Sequence, residues 1–294
     1  MTILCDLRTH IIICIMLCFA ACRKPKSVEN PLLFNETPVS VPVTPGVIDE
    51  ASGISDSKAN PGYLWVLQDS GNPPGLHLLS TDGTVAHLVH IKGAGNRDWE
   101  DLVLAPGPDA GINYLYVGDF GDNNQQHETY NIYRFPEPAL TTDTVFTSEM
   151  ITFRYPDGAH DAEAILADLD SKDLYIITKR DQASIVYKLT YPHQLNGVQT
   201  VLKVATLPFS GVVSAAISPD NKEVLVKTYL NMYHWTREEG KTLEEIFIKA
   251  PATVSYKPEP QGEAVCFRND NAGFYTLSEK GLSIAVALNF YRRN

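Results

Sequence analysis

The chain has 294 residues and a formal net charge of −11, and 44% of its residues are hydrophobic, enough for one large domain or two small ones. The acidic balance, with no long basic run in the body of the chain, argues against a nucleic-acid partner.

At the start, Arg8 precedes the apolar run from Ile11 to Phe19, which is too short to span a bilayer as a mature helix. It leads into Phe19-Ala20-Ala21-Cys22, which resembles the lipobox of bacterial lipoproteins. That resemblance implies a signal peptide over residues 1–21, cleavage before Cys22 and lipidation of Cys22. Acyl chains there would hold the protein to a membrane of the bacterial cell envelope, on the periplasmic side or at the cell surface. An ordinary secretory signal and an uncleaved anchor are the alternatives. Residues 22–37 are polar and proline-containing and suit a tether, leaving 38–294 as the folded domain. Surface-displayed lipoproteins of some bacteria carry acids after the cysteine; here Arg23, Lys24 and Lys26 follow, so the membrane face stays open. Cys5, Cys14 and Cys18 would leave with the signal. Cys266, in the apolar stretch Ala264-Val-Cys-Phe267, then reads as a buried inert thiol, with no disulfide and no cysteine metal site.

From Glu50 onward a pattern of a small or acidic residue followed by an apolar run recurs every fifty to sixty residues: Glu50-Ala-Ser-Gly-Ile54, Glu100-Asp-Leu-Val-Leu104, Glu163-Ala-Ile-Leu-Ala167, Ser214-Ala-Ala-Ile-Ser218 and Glu263-Ala-Val-Cys-Phe267. Each is followed by a second strand rich in aromatic and β-branched residues, such as Tyr63-Leu-Trp-Val-Leu67 and Tyr114-Leu-Tyr-Val117. Third strands are expected at Leu76–Leu79, Asn131–Arg134, Ile185–Lys188, Met232–Trp235 and Ile284–Leu288, with outer strands near 84–91, 149–155, 200–207 and 243–248. The fold expected is all-β, a single propeller of five blades with four antiparallel strands each. The fifth repeat lacks a fourth strand, which Val39–Val43 or Gly46–Ile48 can supply, so that an N-terminal strand closes the ring. A sixth blade stays open if the insertion between Arg134 and His160 hides further strands, or if the region before Glu50 contributes more than one.

In such a ring the start of each inner strand and the end of each second strand meet at one mouth. The residues expected there are Glu50 with Asp69; Glu100 and Asp101 with Asp119, Asp122 and Asn123; Asp161 and Glu163 with Lys179, Arg180 and Asp181; Ser214 with Lys227; and Glu263 with Glu279 and Lys280. Two carboxylates ~6 Å apart repel by roughly 3 kcal/mol at an effective dielectric of 20, so the glutamates call for a counter-charge. Oxygen donors without thiolate or imidazole favour Ca²⁺ or Mg²⁺ over zinc. The metal ligands expected are Glu50, Asp101, Asp119, Asp122, Asn123 and Glu263, with Glu100 and Glu163 at the centre of any chemistry and His160 as a candidate general base. Lys179, Arg180, Lys227 and Lys280 are the candidate anion ligands. For each group a structural role stands beside the functional one: glutamates bonded to amides between blades, a tight Gly118-Asp-Phe-Gly-Asp-Asn123 turn, and lysines paired internally with the acids.

The set Arg97-Asp-Trp-Glu-Asp-Leu102, Leu115-Tyr-Val-Gly-Asp-Phe-Gly-Asp-Asn123, Asp161-Ala-Glu-Ala164, Val226-Lys-Thr-Tyr229 and Pro260-Gln-Gly-Glu-Ala264 resembles a family of uncharacterised bacterial propeller lipoproteins, and Ser218-Pro-Asp-Asn-Lys-Glu-Val-Leu225 resembles the repeat of TolB-type propellers. More distantly the layout is similar to the phytase-like esterase propellers, which implies calcium held by mouth carboxylates and phosphate held by Lys and Arg. Two readings follow. One is a calcium-dependent phosphoester hydrolase; the other is a non-catalytic lipoprotein whose mouth recognises a sugar, peptide or envelope protein, aided by Trp99, Tyr229 or Tyr233. A monomer is expected in either.

Overall fold

The computed structural model describes residues 33–281 and 285–294. The expected signal peptide, Cys22 and residues 22–32 of the tether lie outside the described residues. Five sheets form the domain, each with four antiparallel strands, and two of them gain a short fifth strand in parallel: Thr144–Val145 beside Val85–Ile91 and Val198–Thr200 beside Glu149–Arg154. Blade one contains Ala51–Asp56, Tyr63–Gln68, Gly75–Ser80 and Val85–Ile91; blade two contains Trp99–Pro106, Asn113–Asp119, Tyr130–Pro136 and Glu149–Arg154. Blade three contains Ala162–Ala167, Leu174–Thr178, Ile185–Leu189 and Leu202–Thr206, and blade four Val212–Ile217, Glu223–Thr228, Met232–Thr236 and Ala252–Val254. Blade five contains Gly262–Phe267, Gly273–Ser278 and Ala287–Arg292. Its fourth strand is Val39–Pro42, antiparallel to Ala287–Arg292, so the N-terminal strand closes the ring as expected. Adjacent inner strands contact one another around the full circle.

The core is five layers, each lying between neighbouring blades. Trp65 and Leu78 of blade one meet Leu102 and Val117 of blade two, and Tyr116 of blade two meets Ile176 and Tyr187 of blade three. Inner strands read as continuous apolar runs because both their faces are buried by neighbours. The closing strand sets a local constraint on Gly83, whose φ of +88° favours glycine and whose missing side chain lets the Pro42 carbonyl approach. Phe34, within the stretch read as tether, is buried edge-on against Phe274 at 4.9 Å between ring centroids.

Three expectations are corrected. The insertion after Arg134 makes no sixth blade: it supplies Glu149–Arg154 and the short strand Thr144–Val145, which pairs parallel to the edge of blade one. Residues 243–248 hold a helix, Leu243–Phe247, in place of an outer strand. Thr242 and Glu245 form a reciprocal capping box, and Leu243, Ile246 and Phe247 share a buried face at helical spacing. The third strand of blade five is Ala287–Arg292, three residues later than read from the pattern. Among the described residues no helix is long and apolar enough to cross a membrane.

Candidate functional site

Every inner strand carries a β-bulge at the same point of its pairing with the second strand, where two residues oppose one. The residue passed over in the register is Ser52, Glu100, Glu163, Val213 and Glu263 in blades one to five. The next residue is Gly53, Asp101, Ala164, Ser214 and Ala264, four small side chains and one aspartate. The residue that ends each second strand at this mouth is followed by Asp69, Phe120, Lys179, Tyr229 and Glu279. Three bulge glutamates and these flanking residues build the mouth.

Carboxylate oxygens of Glu100, Asp161 and Glu163 lie within 4.8 Å of one another, and so do those of Asp69, Asp98 and Glu100. Glu100 belongs to both groups and is 4% exposed. Among the described residues no hydrogen bond or ion pair reaches its carboxylate, and burial followed by the charges of Glu163, Asp69 and Asp98 pushes it well above the usual carboxylate range. Gly121 packs so close to Glu100 and Asp98 that a side chain there would displace them.

The neighbouring acids are better served. Lys179 Nζ lies 2.6 Å from Glu163 Oε1 and 3.7 Å from Glu263 Oε1, and donates to the Tyr229 hydroxyl at 3.3 Å. Tyr229 donates in turn to Glu263. Burial works against the Lys179 charge, but Glu163 and Glu263 hold the ammonium above its ordinary value. Glu163 is pushed up to about 8 by burial, against the pull of Lys179. Asp98 is raised to about 6 by burial and by Asp69, and Glu279 to about 8 by burial and Glu263. Arg180 Nε pairs with Asp161 Oδ2 at 2.5 Å, and the Asp122 amide donates to Asp161 Oδ1 at 2.8 Å.

Several expected ligands already serve other partners. Asp101 is fully buried and reaches across the ring: its Oδ2 accepts from the amides of Ile165 (3.2 Å) and Ala215 (3.4 Å) and from the Ser214 hydroxyl (3.3 Å). The Val265 amide donates to Ser214 Oγ, and Gly53 of blade one leaves room beside the Asp101 backbone, so one carboxyl bonds blade two to blades three and four and, through Ser214, links to blade five. Asp119 accepts from the amides of Arg97 and Asp98, and Asp122 accepts from Gln126, His127 and the Tyr130 hydroxyl. Burial alone would raise Asp122, but those donors hold it below its ordinary value. Asn123 is exposed and accepts from Arg180. Asp122 therefore holds its own loop, Asp119 the entry to the inner strand, and Asn123 the Arg180 of the next blade. Glu50 sits two residues ahead of its bulge, exposed, and accepts from the Asn72 amide at 2.7 Å.

His160 does not face the acid cluster as a free base. Its Nδ1 lies 3.1 Å from Asp181, and its Nε2 lies 2.9 Å from the Tyr187 hydroxyl and 3.2 Å from Asp157. Lys227 is fully buried, donates to the Gly262 carbonyl and is lowered to about 8 by burial, so it cannot meet a solute. Lys280 pairs with Asp49 at 2.9 Å on the exposed rim. Of the expected residues, Glu100, Glu163, Glu263 and Lys179 converge, with Arg180 at the edge. Asp98 is the member of the two carboxylate groups that the sequence did not place at the mouth; its signal is its place two residues before Glu100, at the entry to the same inner strand.

No family model and no curated protein matches the chain. Among solved structures it is similar to hydrazine synthase of Kuenenia stuttgartiensis, at 11% identity and a TM-score of 0.43 over 80% of this chain and 70% of that one. It is likewise similar to the Dos1 propeller, at 11% identity and a TM-score of 0.42 over 83% and 78%. The five closed sheets with an acidic mouth define the class: a five-bladed β-propeller.

Proposed function

We propose that this propeller binds a hard divalent cation of the Ca²⁺ class through Asp69, Asp98 and Glu100, and through that cation holds an anionic ligand at its mouth. The observation that carries the reading is Glu100, a buried carboxylate faced by Asp69 and Asp98, with no hydrogen bond or ion pair to it among the described residues. Ligand oxygens around one Ca²⁺ at 2.3–2.6 Å lie at most about 5 Å apart, so a mutual separation within 4.8 Å suits one ion without rearrangement. Asp69 and Asp98 are half-buried, which leaves an entry path. The donors are all carboxylates, which selects against zinc and copper.

Between binding and hydrolysis the geometry favours binding. The cations expected to hold a phosphate are already engaged: Lys179 by Glu163, Arg180 by Asp161, Lys227 by Gly262 and Lys280 by Asp49. A lipid on Cys22 that places this mouth in the bacterial cell envelope belongs to the same proposal. Calcium titration of the full chain, after chelation, tests it. A hundredfold excess of ligand over Kd stabilises by about 2.7 kcal/mol, read as a rise in melting temperature that Glu100→Gln should lose. No rise in the wild-type chain, or an equal rise in Glu100→Gln, sinks the reading. A phosphoesterase screen with and without Ca²⁺ then separates a hydrolase from a binder.

A further inference from the structure

We infer that the mouth holds two divalent cations, bridged by Glu100, the second ion lying among Glu100, Asp161 and Glu163. The inference rests on the cation-binding reading above and extends it to a paired site. Both groups of three carboxylates meet the same distance limit, and Glu100 is the one residue common to them. A carboxylate has two oxygens and about four lone-pair sites. Glu100 uses none of these on any donor among the described residues, although it is more than nine-tenths buried.

The charges separate one ion from two. Asp69, Asp98, Glu100, Asp161, Glu163, Glu263 and Glu279 carry seven formal negative charges, and Lys179 and Arg180 return two. One divalent cation leaves three negative charges at the mouth, whereas two leave one. The second position also differs from the first in kind. Glu100, Asp161 and Glu163 are all buried; Glu163 keeps a basic partner on one oxygen, Lys179 at 2.6 Å, while Asp161 holds Arg180 at 2.5 Å on Oδ2 and the Asp122 amide at 2.8 Å on Oδ1. Those partners orient the carboxylates while the Glu100 side stays clear of any cationic side chain. A bridging carboxylate between two hard ions is the arrangement that lets one anionic oxygen, from a phosphoryl or carboxylate group, contact both metals at once. The ligand class that follows is a small oxyanion held between the ions, with no call on the lysines and arginine already paired.

Calorimetric titration of the chelated full chain with CaCl₂ at pH 8 gives the test. Two ions per chain are expected for the wild type, one for Asp98→Asn, one for Glu163→Gln and none for Glu100→Gln. Because Glu163→Gln also loosens Lys179, Asp161→Asn serves as the second variant of the inner position, with far-ultraviolet circular dichroism to show that each is folded. With Mn²⁺ as probe, two equivalents should give the spin-coupled signal of a close pair. One ion per chain, lost in Asp98→Asn but kept in both Glu163→Gln and Asp161→Asn, overturns the paired site while leaving cation binding intact. Two ions with an uncoupled Mn²⁺ spectrum also overturn the bridge. No ion in the wild type overturns both proposals.

Discussion

Replacing Asp101 separates a structural carboxyl from a metal ligand. Asp101→Ala removes the acceptor for the amides of Leu102 (2.9 Å), Ile165 (3.2 Å) and Ala215 (3.4 Å) and for the Ser214 hydroxyl (3.3 Å), all on inner strands. Three of these contacts are long, so each of the four counts about 1 kcal/mol with the cost of the unpaired donor included, for a total of about 3–5 kcal/mol. Burial pushes the Asp101 carboxyl well above its ordinary value, so a neutral amide is a close substitute and Asp101→Asn should cost about 1–2 kcal/mol. Urea unfolding followed through the buried Trp65, Trp99 and Trp235, in EDTA, reads both. A loss below about 1 kcal/mol for Asp101→Ala, or a folded variant with an unchanged midpoint and no calcium binding, would refute the structural assignment and return Asp101 to the metal site.

The pH dependence of the chelated protein has one window in which a single sign applies. Glu163 rises from 4.5 to about 8 on folding, so between those values the native state holds a proton the unfolded chain has lost, and stability falls as pH rises. Below pH 6.5 the buried His77 and His193, both lowered to about 4, act with the opposite sign, and above 8 the lowered Lys227 does so. Between pH 6.5 and 8 the Glu163 contribution is a loss of about 2 kcal/mol, with Glu279 acting in the same direction. Melts across that range should show the fall in the wild type and a shallower one in Glu163→Gln; a flat or rising profile contradicts it. Lys179→Met strips the ammonium from Glu163 and Glu263 and should cost about 3–5 kcal/mol, partly restored by CaCl₂, as measured by urea midpoints with and without the salt. Deleting the chain through Pro42 uncovers the edge of Ala287–Arg292 and should produce oligomers by light scattering, whereas a stable monomer would mean the closing strand is dispensable.

The ring was legible because its physical cause repeats in the sequence. Inner strands buried on both faces must be apolar throughout, second strands must pack neighbouring blades with large β-formers, and an incomplete last sheet must find a strand elsewhere. Residues 243–248 misled because Leu-Glu-Glu-Ile-Phe-Ile carries an apolar face at either period. Thr242 and Glu245 decide for the helix, and the two hydrogen bonds of their capping box could have been weighed beforehand. The third strand of blade five slid by three residues because several apolar positions there fit a strand, and its pairing with Val39–Pro42 is a long-range constraint.

The site was half legible, and the bulge explains both halves. In a regular strand Glu100 and Asp101 would point to opposite faces; the bulge buries both, one in the mouth cluster and the other across the axis. An extra residue in a strand leaves no compositional mark, so a repeat aligned on its acids put Glu50 and Ser214 where Ser52 and Val213 stand. Asp119 and Asp122 misled for a second reason, since carboxylates that satisfy loop amides are the same groups that bind metals, and only the location of those amides tells them apart. Asymmetry among the blades then follows directly. Blades two, three and five place a glutamate at the bulge, blades one and four place serine and valine there, and Lys179 stands between Glu163 and Glu263, so among the described residues Glu100 is the bulge glutamate left without a basic partner.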